Sequence, residues 1–505
     1  MSDALMNHAP NSAVAPAPKA IHSLLPVASG AISQKRRRFM PPSRVVLTAL
    51  DVTLMAGAVA ALIMSVWQRL GFDTPEDAAA ATLCLSWALL AFAYASGCYR
   101  YDALVSFSVS VTRLVVGLGV SALLLVPLMH LGLGLLSPAP AFRSFSRCLT
   151  IVLLGLGAGL SGGIVARIAF LAMARRHWFR RSILVIGTGV RARYLRDLFR
   201  ATDRHHTAEL HFVTEEYLGG WPPSNAAGEP IEAIPGVPTV EELESRLAID
   251  QVVVAVDERR RLFFDHLLPW KANGIPVFDF NSFVEQETGR VDLKWTETDW
   301  LLYSDGFRFG TLDRALKRLV DIGVSATFLV LAMPCLLLVA ALIVLEDRGP
   351  VFYRQERVSQ GGRIFRIVKF RTMRTDAEKF GAQWATQDDP RITGIGKVLR
   401  RTRIDEVPQL FNVLRGDMSM VGPRPERPVF VKELSAKIRL YHLRHSVKAG
   451  ITGWAQINYP YGASVEDAER KLEFDLFYLK HFSVLRDLAI MLQTFRVLVF
   501  AQGGR

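Results

Sequence analysis

The chain has 505 residues, half of them apolar, and 60 basic against 47 acidic side chains give it a formal net charge of +13. This length has room for about three domains. A mean hydropathy of +0.23 combined with excess positive charge indicates a membrane protein that meets anionic headgroups or phosphorylated ligands. The four cysteines lie in or beside apolar runs without CxxC spacing, which argues against a disulfide framework or a zinc site.

The N-terminal part predicts a tail followed by a group of membrane-spanning helices. Residues 1–40 are rich in Ala, Pro and Ser, end in a basic cluster and are expected to be disordered. Residues 41–175 contain four apolar runs, at about 45–67, 78–97, 111–136 and 148–174. Each run is long enough to cross a bilayer. Because basic residues collect on the cytoplasmic side, the clusters at 35–38 and 175–181 predict that both ends of this four-helix bundle face the cytoplasm.

Residues 182–300 are predicted to form a small Rossmann-like α/β domain. Buried-strand patterns occur at 182–187, 251–256 and 275–279. The first runs into a turn containing Gly187 and Gly189, and such a turn can hold an anion at a helix N-terminus. The acids expected to bind a ribose, Glu215 and Glu216, come late for this motif. We therefore expect a structural or regulatory domain with no tightly bound NAD, and a domain that binds a nucleotide is the alternative.

An apolar segment at 322–345, with Pro334 at its middle, is predicted to enter and leave the membrane on one face. Basic residues flank it on both sides: Arg308, Arg314, Lys317 and Arg318 before it, and Arg348, Arg354, Arg357, Arg363, Arg366, Lys369, Arg371 and Arg374 after it. Because such residues favour the cytoplasmic side, we assign 311–345 to a re-entrant hairpin. Pro334 provides the bend, since it lacks an N–H and clashes with the preceding turn. An ordinary kinked transmembrane helix is the alternative.

The chemistry is assigned to residues 346–505, around the pair Asp405 and Glu406. Pro408 suits the first position of a helix and Gly416 suits its end, so a short helix is expected between them. The two carboxylates would then stand just before a helix N-terminus, whose partial positive charge keeps them ionised.

Three arginines crowd the same turn: Arg400, Arg401 and Arg403. Ionised carboxylates in such a phosphate-attracting cluster can hold a divalent cation, or one of them can attack phosphorus directly. A salt-bridged helix cap without a catalytic role is the alternative.

Four motifs in this region, together with the broken helix before them, resemble those of the bacterial polyprenyl-phosphate sugar-1-phosphate transferases, the monotopic phosphoglycosyl transferases. They are KFRTM at 369–373, LRRTRIDEVPQL at 399–410, RGDMSMVGPRPE at 415–426 and GITGWAQIN at 450–458. The resemblance covers about 311–505. The preceding helices and α/β portion resemble the large members that initiate exopolysaccharide synthesis, such as undecaprenyl-phosphate glucose phosphotransferases, more loosely.

The resemblance implies the fold and the roles of individual residues. It implies a membrane protein with a four-helix transmembrane bundle, a Rossmann-like α/β domain and an α/β monotopic catalytic domain with a re-entrant helix. Asp405 is the implied nucleophile and metal ligand, with Glu406 beside it, and Mg²⁺ is the expected metal with Mn²⁺ as the alternative. The basic residues assigned to phosphate or headgroup contact are Lys369, Arg371, Arg400, Arg401 and Arg424. Their alternative role is to anchor the protein at the membrane surface.

The implied reaction transfers a hexose 1-phosphate from a UDP-sugar to undecaprenyl phosphate, releasing UMP through a covalent phosphosugar–Asp405 intermediate. It would be the first membrane step of exopolysaccharide or capsule synthesis. Glucose is the leading sugar, galactose is next, and N-acetylated or deoxyamino sugars follow. The expected partners are the UDP-sugar, undecaprenyl phosphate and the phospholipid bilayer, with no nucleic acid, and a homo-oligomer is left open. The expected location is the bacterial inner membrane, with the catalytic domain on the cytoplasmic face.

Two other functional classes share some of these features. A membrane-bound NAD-dependent sugar-nucleotide dehydratase or epimerase would also combine apolar helices with a Rossmann-like domain, but 182–300 contains no Tyr-x-x-x-Lys pair. A non-catalytic scaffold for polysaccharide assembly would use the basic regions only as anchors. Residues 472–500 favour either an amphipathic helix at the membrane surface or a packed core helix.

Overall fold

The computed structural model describes residues 43–499 except 101–102, 105–106, 134–139, 176–180, 202–207, 219–230, 235–242, 244–246, 258–263, 308, 375–388, 460–461 and 463. The predicted N-terminal tail, 1–40, lies outside the described residues. The described elements belong to one unit of the chain, Met40–Arg505.

The four apolar runs near the start of the chain are confirmed as helices. They are α1 (Val45–Leu70), α2 (Pro75–Ala95), α3 (Phe107–Leu131) and α4 (Phe145–Ala174), and each is long and apolar enough to cross a membrane. Side chains from all four meet in one apolar core, including Met55, Leu89, Leu114 and Ile151. Their orientation across a bilayer stays a prediction.

A charged pair is buried inside this apolar core. The carboxylate of Asp51 on α1 accepts hydrogen bonds from Arg167 Nη1 on α4 at 2.5 Å and from Tyr99 Oη at 2.7 Å. Arg167 Nε donates in addition to Ser110 Oγ at 3.2 Å. Charges within an apolar helix bundle are tolerated when they pair with each other, so this ion pair ties α1 to α4 in one register.

The predicted parallel α/β domain is confirmed. Its strands are β1 (Arg181–Ile186), β2 (Ala208–Val213), β3 (Gln251–Val254) and β4 (Val277–Asp279), with helix α5 (Val190–Ala201) after β1 and α6 (Leu268–Ala272) before β4. All pairings are parallel, in the order β2-β1-β3-β4. The sequence reading missed β2 because this edge strand alternates polar and apolar residues instead of forming an apolar run.

The α/β domain is joined to residues 346–505, called the catalytic part after the chemistry that the sequence predicts for them, through two short helices, α7 (Phe280–Thr288) and α8 (Thr298–Tyr303). The carboxylate of Glu285 on α7 lies 2.7 Å from both Lys480 Nζ and His481 Nε2 of the catalytic part. Val291 and Leu301 belong to the same apolar core as residues of the C-terminal helices. The segment between the two domains is therefore packed against the catalytic part.

The segment around Pro334 forms one helix, α9 (Thr311–Asp347), which is 37 residues long and continues through the proline. Near its start, the guanidinium of Arg318 donates to the carbonyls of Val413 and Leu414 at 2.6 and 2.7 Å. Near its end, Glu346 Oε1 accepts from Ile395 N at 3.2 Å. Both ends of α9 thus contact the catalytic part. The re-entrant course and the bend at Pro334 stay predictions.

The catalytic part combines two small sheets with short helices. Strands β5 (Phe352–Val358) and β6 (Ile364–Phe370) form an antiparallel hairpin, and β7 (Ser419–Val421) pairs in parallel with β8 (Gly450–Thr452). The helices between and after them are α10 (Gly394–Thr402), α11 (Leu410–Arg415), α12 (Pro428–Lys437), α13 (Trp454–Asn458), α14 (Val465–Lys480) and α15 (Val484–Val499).

The region predicted at 472–500 as one amphipathic or core helix contains parts of two helices with different environments. The second half of α14 is buried, whereas α15 exposes Leu485 and Leu488. Gln493 Nε2 on α15 donates to Tyr94 Oη on α2 at 3.1 Å. The C-terminal helix therefore connects the catalytic part to the apolar helices.

Candidate active site

Asp405 and Glu406 lie within a 3₁₀ turn, Ile404–Gln409, that joins α10 to α11. The helix predicted to start at Pro408 begins two residues later, at Leu410, so the carboxylates belong to the 3₁₀ turn that precedes this helix. Pro408 lies inside the 3₁₀ turn and not at the first position of α11. Gly416 ends α11 as predicted, with a φ of 94°.

The chain reverses direction before the carboxylates at Arg403, which has a left-handed φ of 60°. Such a backbone conformation costs a residue other than glycine about 1–2 kcal/mol. This left-handed conformation of Arg403 lies at the junction between α10 and the 3₁₀ turn. There it directs the turn that carries Asp405 and Glu406 toward β6. Strained backbone of this kind is common where side chains are placed for chemistry.

Glu406 is surrounded by cations from three separate elements. Its Oε1 accepts hydrogen bonds from Lys369 Nζ at 2.9 Å and Arg424 Nη2 at 3.0 Å, and its Oε2 lies 3.8 Å from Arg403 Nη1. Burial alone would raise the pKa of Glu406, but the charges of Lys369, Arg424 and Arg403 hold this pKa well below its usual range. Glu406 is therefore a fixed anion.

Asp405 has the opposite electrostatic environment. Its side chain is buried, with 8% of the residue exposed, and Oδ1 has no hydrogen-bond partner among the described residues. Burial, and next the negative charge of Glu406, raise the pKa of Asp405 above that of an ordinary aspartate. Lys369 and Arg400 oppose this rise only in part. The pKa of Asp405 is thus raised and the pKa of the adjacent Glu406 is lowered. Such a difference is typical of sites where two acids take different chemical roles.

The other basic residues predicted for the site lie at different distances from it. Arg400 Nε donates to Thr372 Oγ1 at 2.9 Å, next to the carboxylates. Arg401 is exposed on the outer face of α10. Arg371 is buried against Gly349, where α9 leads into β5, because a Cβ added to that glycine would meet its guanidinium. Of these basic residues, Lys369 and Arg424 thus bond to Glu406, and the charge of Arg400 acts on Asp405.

A small pocket of about 20 Å³ opens beside Glu406. Its charged lining consists of Arg357, Lys369, Glu406 and Arg424, and Gly450 closes one side. A volume of this size admits one water molecule. Sequence reasoning counted Arg357 only among the basic flank of α9. The sequence of β5 gave no signal for Arg357, because apolar and polar residues do not alternate along it and the less exposed face carries Tyr353, Gln355 and Arg357.

The donor set suits a magnesium ion held by a single carboxylate. Among the described residues, no three His, Cys, Asp or Glu side chains are grouped to bind a metal. Mg²⁺ is commonly held by one or two carboxylates together with waters and substrate phosphates. Asp405 Oδ1, which is buried and not hydrogen bonded, is a donor of this kind, whereas the oxygens of Glu406 face cations.

The glycine turn of the α/β domain is the second candidate binding site suggested by the sequence. Asp257 accepts hydrogen bonds from the amides of Val190 and Arg191 at 2.7 and 3.0 Å. Glu215, the residue considered for a ribose, accepts from the amide of Thr188 at 2.7 Å. The amides that would hold a phosphate therefore bind carboxylates of the chain itself.

Comparison with known proteins assigns the catalytic part to a family. A model of the bacterial sugar transferases matches residues 312–501. A UDP-N-acetylgalactosamine-undecaprenyl-phosphate N-acetylgalactosaminephosphotransferase of Aeromonas hydrophila is 43% identical over 234 residues, which are 46% of this chain and 54% of the relative. The match thus spans about half of that relative's length.

Two further relatives match within the same family. A putative undecaprenyl-phosphate N-acetylgalactosaminyl 1-phosphate transferase of Bacillus subtilis is 55% identical over 124 residues, or 25% of this chain and 69% of the relative. A UDP-glucose:undecaprenyl-phosphate glucose-1-phosphate transferase of Escherichia coli is 43% identical over 185 residues, or 36% of this chain and 40% of the relative. The chain belongs to the bacterial sugar transferases, the family of undecaprenyl-phosphate sugar-1-phosphate transferases that its four motifs resemble.

Proposed function

We propose that the protein transfers a hexose 1-phosphate from a UDP-sugar to undecaprenyl phosphate and releases UMP. The observation that carries this proposal is the adjacent pair of carboxylates, Asp405 and Glu406, beside the cations Lys369, Arg403 and Arg424. The cations attract a diphosphate, and the carboxylate of Asp405 beside them can react with it.

We propose glucose 1-phosphate as the transferred group, with N-acetylgalactosamine 1-phosphate as the second candidate and galactose 1-phosphate as the third. The printed names of the relatives support the first two, because the Escherichia coli relative is named for glucose and the Aeromonas hydrophila relative for N-acetylgalactosamine. An initiating role in exopolysaccharide or capsule synthesis is supported by a relative in Rhizobium leguminosarum. That relative is named as an exopolysaccharide production protein and is 40% identical over 192 residues.

The proposed mechanism has two displacements at phosphorus. A carboxylate oxygen of Asp405 attacks the phosphorus that carries the sugar, the bond to the UMP oxygen breaks, and UMP leaves with its electron pair. A phosphate oxygen of undecaprenyl phosphate then attacks the same phosphorus, the bond to Asp405 breaks, and the carboxylate is restored. The product is a polyprenyl diphosphate sugar. A covalent intermediate allows the soluble donor and the lipid acceptor to use one site in turn.

The residues around Asp405 have distinct roles in this mechanism. Glu406 stays ionised and holds Lys369 and Arg424 in place beside the reacting diphosphate. Asp405 Oδ1 would hold Mg²⁺ together with substrate phosphates. When bound, Mg²⁺ neutralises charge on the diphosphate and on the departing UMP.

The proposed site lies at the cytoplasmic face of the inner membrane, where a soluble sugar nucleotide meets a lipid phosphate. Support comes from α9, whose two ends contact the catalytic part through Arg318 and Glu346. A helix that re-enters the bilayer would leave both ends on one side, as the basic flanks also favour. Exposed leucines on α9, such as Leu331 and Leu337, fit a lipid environment.

The test is UMP release by the purified protein in detergent, with undecaprenyl phosphate and a panel of UDP-glucose, UDP-galactose and UDP-N-acetylgalactosamine. We expect turnover with one of these sugars and its abolition in Asp405→Asn, which keeps the shape but removes the nucleophile. Loss of covalent catalysis lowers kcat by several orders of magnitude. Glu433→Gln, an exposed substitution on α12, is the matched control and should keep full activity.

The covalent step has a separate readout. Brief incubation with the UDP-sugar alone, followed by acid quench and intact-mass measurement, should show one added hexose phosphate on the wild type and none on Asp405→Asn. Turnover by Asp405→Asn would contradict the covalent mechanism. NAD-dependent conversion of the sugar nucleotide would favour a dehydratase or epimerase, and the absence of any turnover would favour a scaffold.

A further inference from the structure

We infer that Arg357 and Arg444 are positioning residues that clamp the backbone of the loop 423–426 so that the side chain of Arg424 reaches Glu406. This inference rests on the proposed function, in which Glu406 and its cations surround the reacting diphosphate. It assigns a role to two arginines, the buried Arg444 and the half-buried Arg357, which lie beside the site without bonding to either carboxylate in the described contacts.

The loop 423–426 is held through four successive backbone carbonyls, each by a donor from another element. The pairs are Gly450 N to Pro423 O at 2.9 Å, Arg444 Nη2 to Arg424 O at 3.1 Å, Arg357 Nη1 to Pro425 O at 3.0 Å and Val358 N to Glu426 O at 3.0 Å. Two of the four donors are backbone amides, of β8 and β5, and two are arginine side chains. The loop is thus fixed from three directions: from β5, from β8 and from the turn that carries Arg444.

The sequence of the loop explains why side chains serve as donors. Pro423 and Pro425 lack an N–H, so the loop cannot join a sheet through a regular ladder of hydrogen bonds. Its carbonyls are nevertheless strong acceptors that need partners when they are buried. The prolines also fix the φ angles of residues 423 and 425. The direction of the Arg424 side chain between them then depends on the positions of the four carbonyls that the donors hold.

Arg444 is anchored firmly enough to serve as a fixed donor. Only 5% of it is exposed, and it lies in the 3₁₀ turn Tyr441–Ser446. Its Nη1 donates to Tyr441 Oη at 2.6 Å, and its Nη2 lies 3.0 Å from Asp475 Oδ2 on α14. A buried guanidinium is retained when several acceptors share it. Here the carbonyl of Arg424 is one of those acceptors.

Arg357 has a similar arrangement on the opposite side of the loop. Its Nη2 donates to Gln355 Oε1 at 2.6 Å, while its Nη1 binds the carbonyl of Pro425. The backbone on either side of the Arg424–Pro425 peptide is therefore held by one arginine each. On the far side of Arg424, its own Nη2 donates to Glu406 Oε1 at 3.0 Å. A displacement of the loop by about 1 Å would break this bond, and such displacements can lower rates about 100-fold.

The test is a double-mutant cycle on UMP release. Arg444→Gln removes the hydrogen bond to the backbone carbonyl of Arg424. Arg424→Ala removes the side chain that bonds to Glu406 and whose position this backbone hydrogen bond is expected to fix. We expect Arg444→Gln to lower kcat by about 10- to 100-fold in the wild type and to have little further effect in the Arg424→Ala protein. Arg439→Gln is the matched control, because Arg439 also donates to backbone carbonyls, those of Leu293 and Thr296, but not to this loop.

A second readout separates positioning from a general loss of structure. Arg444→Lys keeps a positive charge and an N–H donor, so it should recover part of the kcat that Arg444→Gln loses, and this recovery should disappear in the Arg424→Ala protein. A purely structural loss would be the same with the Arg424 side chain present or absent, and Arg439→Gln should leave kcat unchanged.

The outcomes distinguish this inference from the proposed function. A wild type that releases no UMP contradicts the proposed function. A wild type that turns over, with equal losses from Arg444→Gln in the presence and absence of the Arg424 side chain, overturns the positioning role alone. If Arg444→Gln does not fold, as judged by its thermal unfolding, Arg357→Gln decides by the same criteria.

Discussion

Lys369 Nζ and Glu406 Oε1 are 2.9 Å apart although the two residues are 37 positions apart in the chain. This ion pair connects β6 to the 3₁₀ turn that carries both carboxylates. It fixes Glu406 as an anion, and the negative charge of Glu406 in turn raises the pKa of Asp405. The reactivity of one carboxylate is therefore set by the partners of the other.

Replacement of Lys369 should move the pH dependence of the reaction upward. Asp405 acts as a carboxylate, so kcat/KM falls as the pH falls through its raised pKa. The charge of Lys369 lowers this pKa, and its removal in Lys369→Met should therefore shift the acidic limb to higher pH by about 1 unit. The pH profile of UMP release measures the shift. An unchanged limb would contradict the electrostatic role of Lys369.

Replacement of Glu406 should have the opposite effect on the same limb. Glu406→Gln removes the negative charge that raises the pKa of Asp405, so the acidic limb should move to lower pH. At the same time kcat should fall, because Lys369 and Arg424 lose the carboxylate that holds them. Shifts of the same sign in Glu406→Gln and Lys369→Met would rule out the proposed coupling between the two carboxylates.

The re-entrant course of α9 predicts that its two ends are accessible from the same side of the membrane. Arg314 and Arg348 are exposed near the two ends, and single cysteines can replace them after the exposed Cys84 and Cys335 are changed to Ala. We expect a membrane-impermeant thiol reagent to label Arg314→Cys and Arg348→Cys in inverted vesicles and neither in intact cells. Labelling of only one of the two in each preparation would identify a spanning helix.

The catalytic part should depend on the segment before α9 for stability, and not for chemistry. Val291 and Leu301 share an apolar core with Leu472 and Leu476. A chain that begins at Tyr303 lacks the first two, and the loss of buried apolar side chains costs about 2–5 kcal/mol each. We expect it to unfold at a lower temperature than a chain that begins at Arg290, while both release UMP. A well-folded short chain without turnover would assign the α/β domain a catalytic role.

The buried ion pair of the apolar helices should contribute to stability alone. Asp51→Asn leaves Arg167 as an uncompensated buried charge, and breaking such a pair costs about 3–5 kcal/mol. The thermal unfolding midpoint in detergent should fall, and Asp51→Leu combined with Arg167→Leu should recover part of the loss. UMP release per folded molecule should stay constant. A large loss of turnover at an unchanged midpoint would show that the pair has a role in the reaction.

Elements with a strong hydrophobic pattern could be predicted from the sequence. The apolar helices and the buried strands β1, β3 and β4 have continuous apolar runs, and Gly416 marked the end of α11 through its left-handed φ. The edge strand β2 has no such run. The 3₁₀ turn around Asp405 was not predicted, because the residue before it, Arg403, has a left-handed conformation that is uncommon for a residue with a side chain.

The partners of the candidate site residues depend on contacts between distant segments. Lys369 and Arg424 were identified by their motifs, but nothing in the sequence indicated that both bind one oxygen of Glu406. Arg371 and Arg401 come from equally basic stretches. Arg371 follows the end of β6 and packs against Gly349, and helix periodicity places Arg401 on the surface of α10. Motif membership thus identified the neighbourhood, and tertiary packing determined which side chains reach the carboxylates.

The hydrogen bonds of Asp257 have a consequence for any soluble anion that approaches the glycine turn. A carboxylate tethered to the same chain faces the amides of Val190 and Arg191 at an effective concentration far above that of a free metabolite. For short flexible tethers this concentration is already in the millimolar range. A phosphate compound would have to displace the carboxylate of Asp257 from these amides. Asp257→Ala removes this carboxylate, so it is the variant in which weak nucleotide binding to this domain would first become measurable.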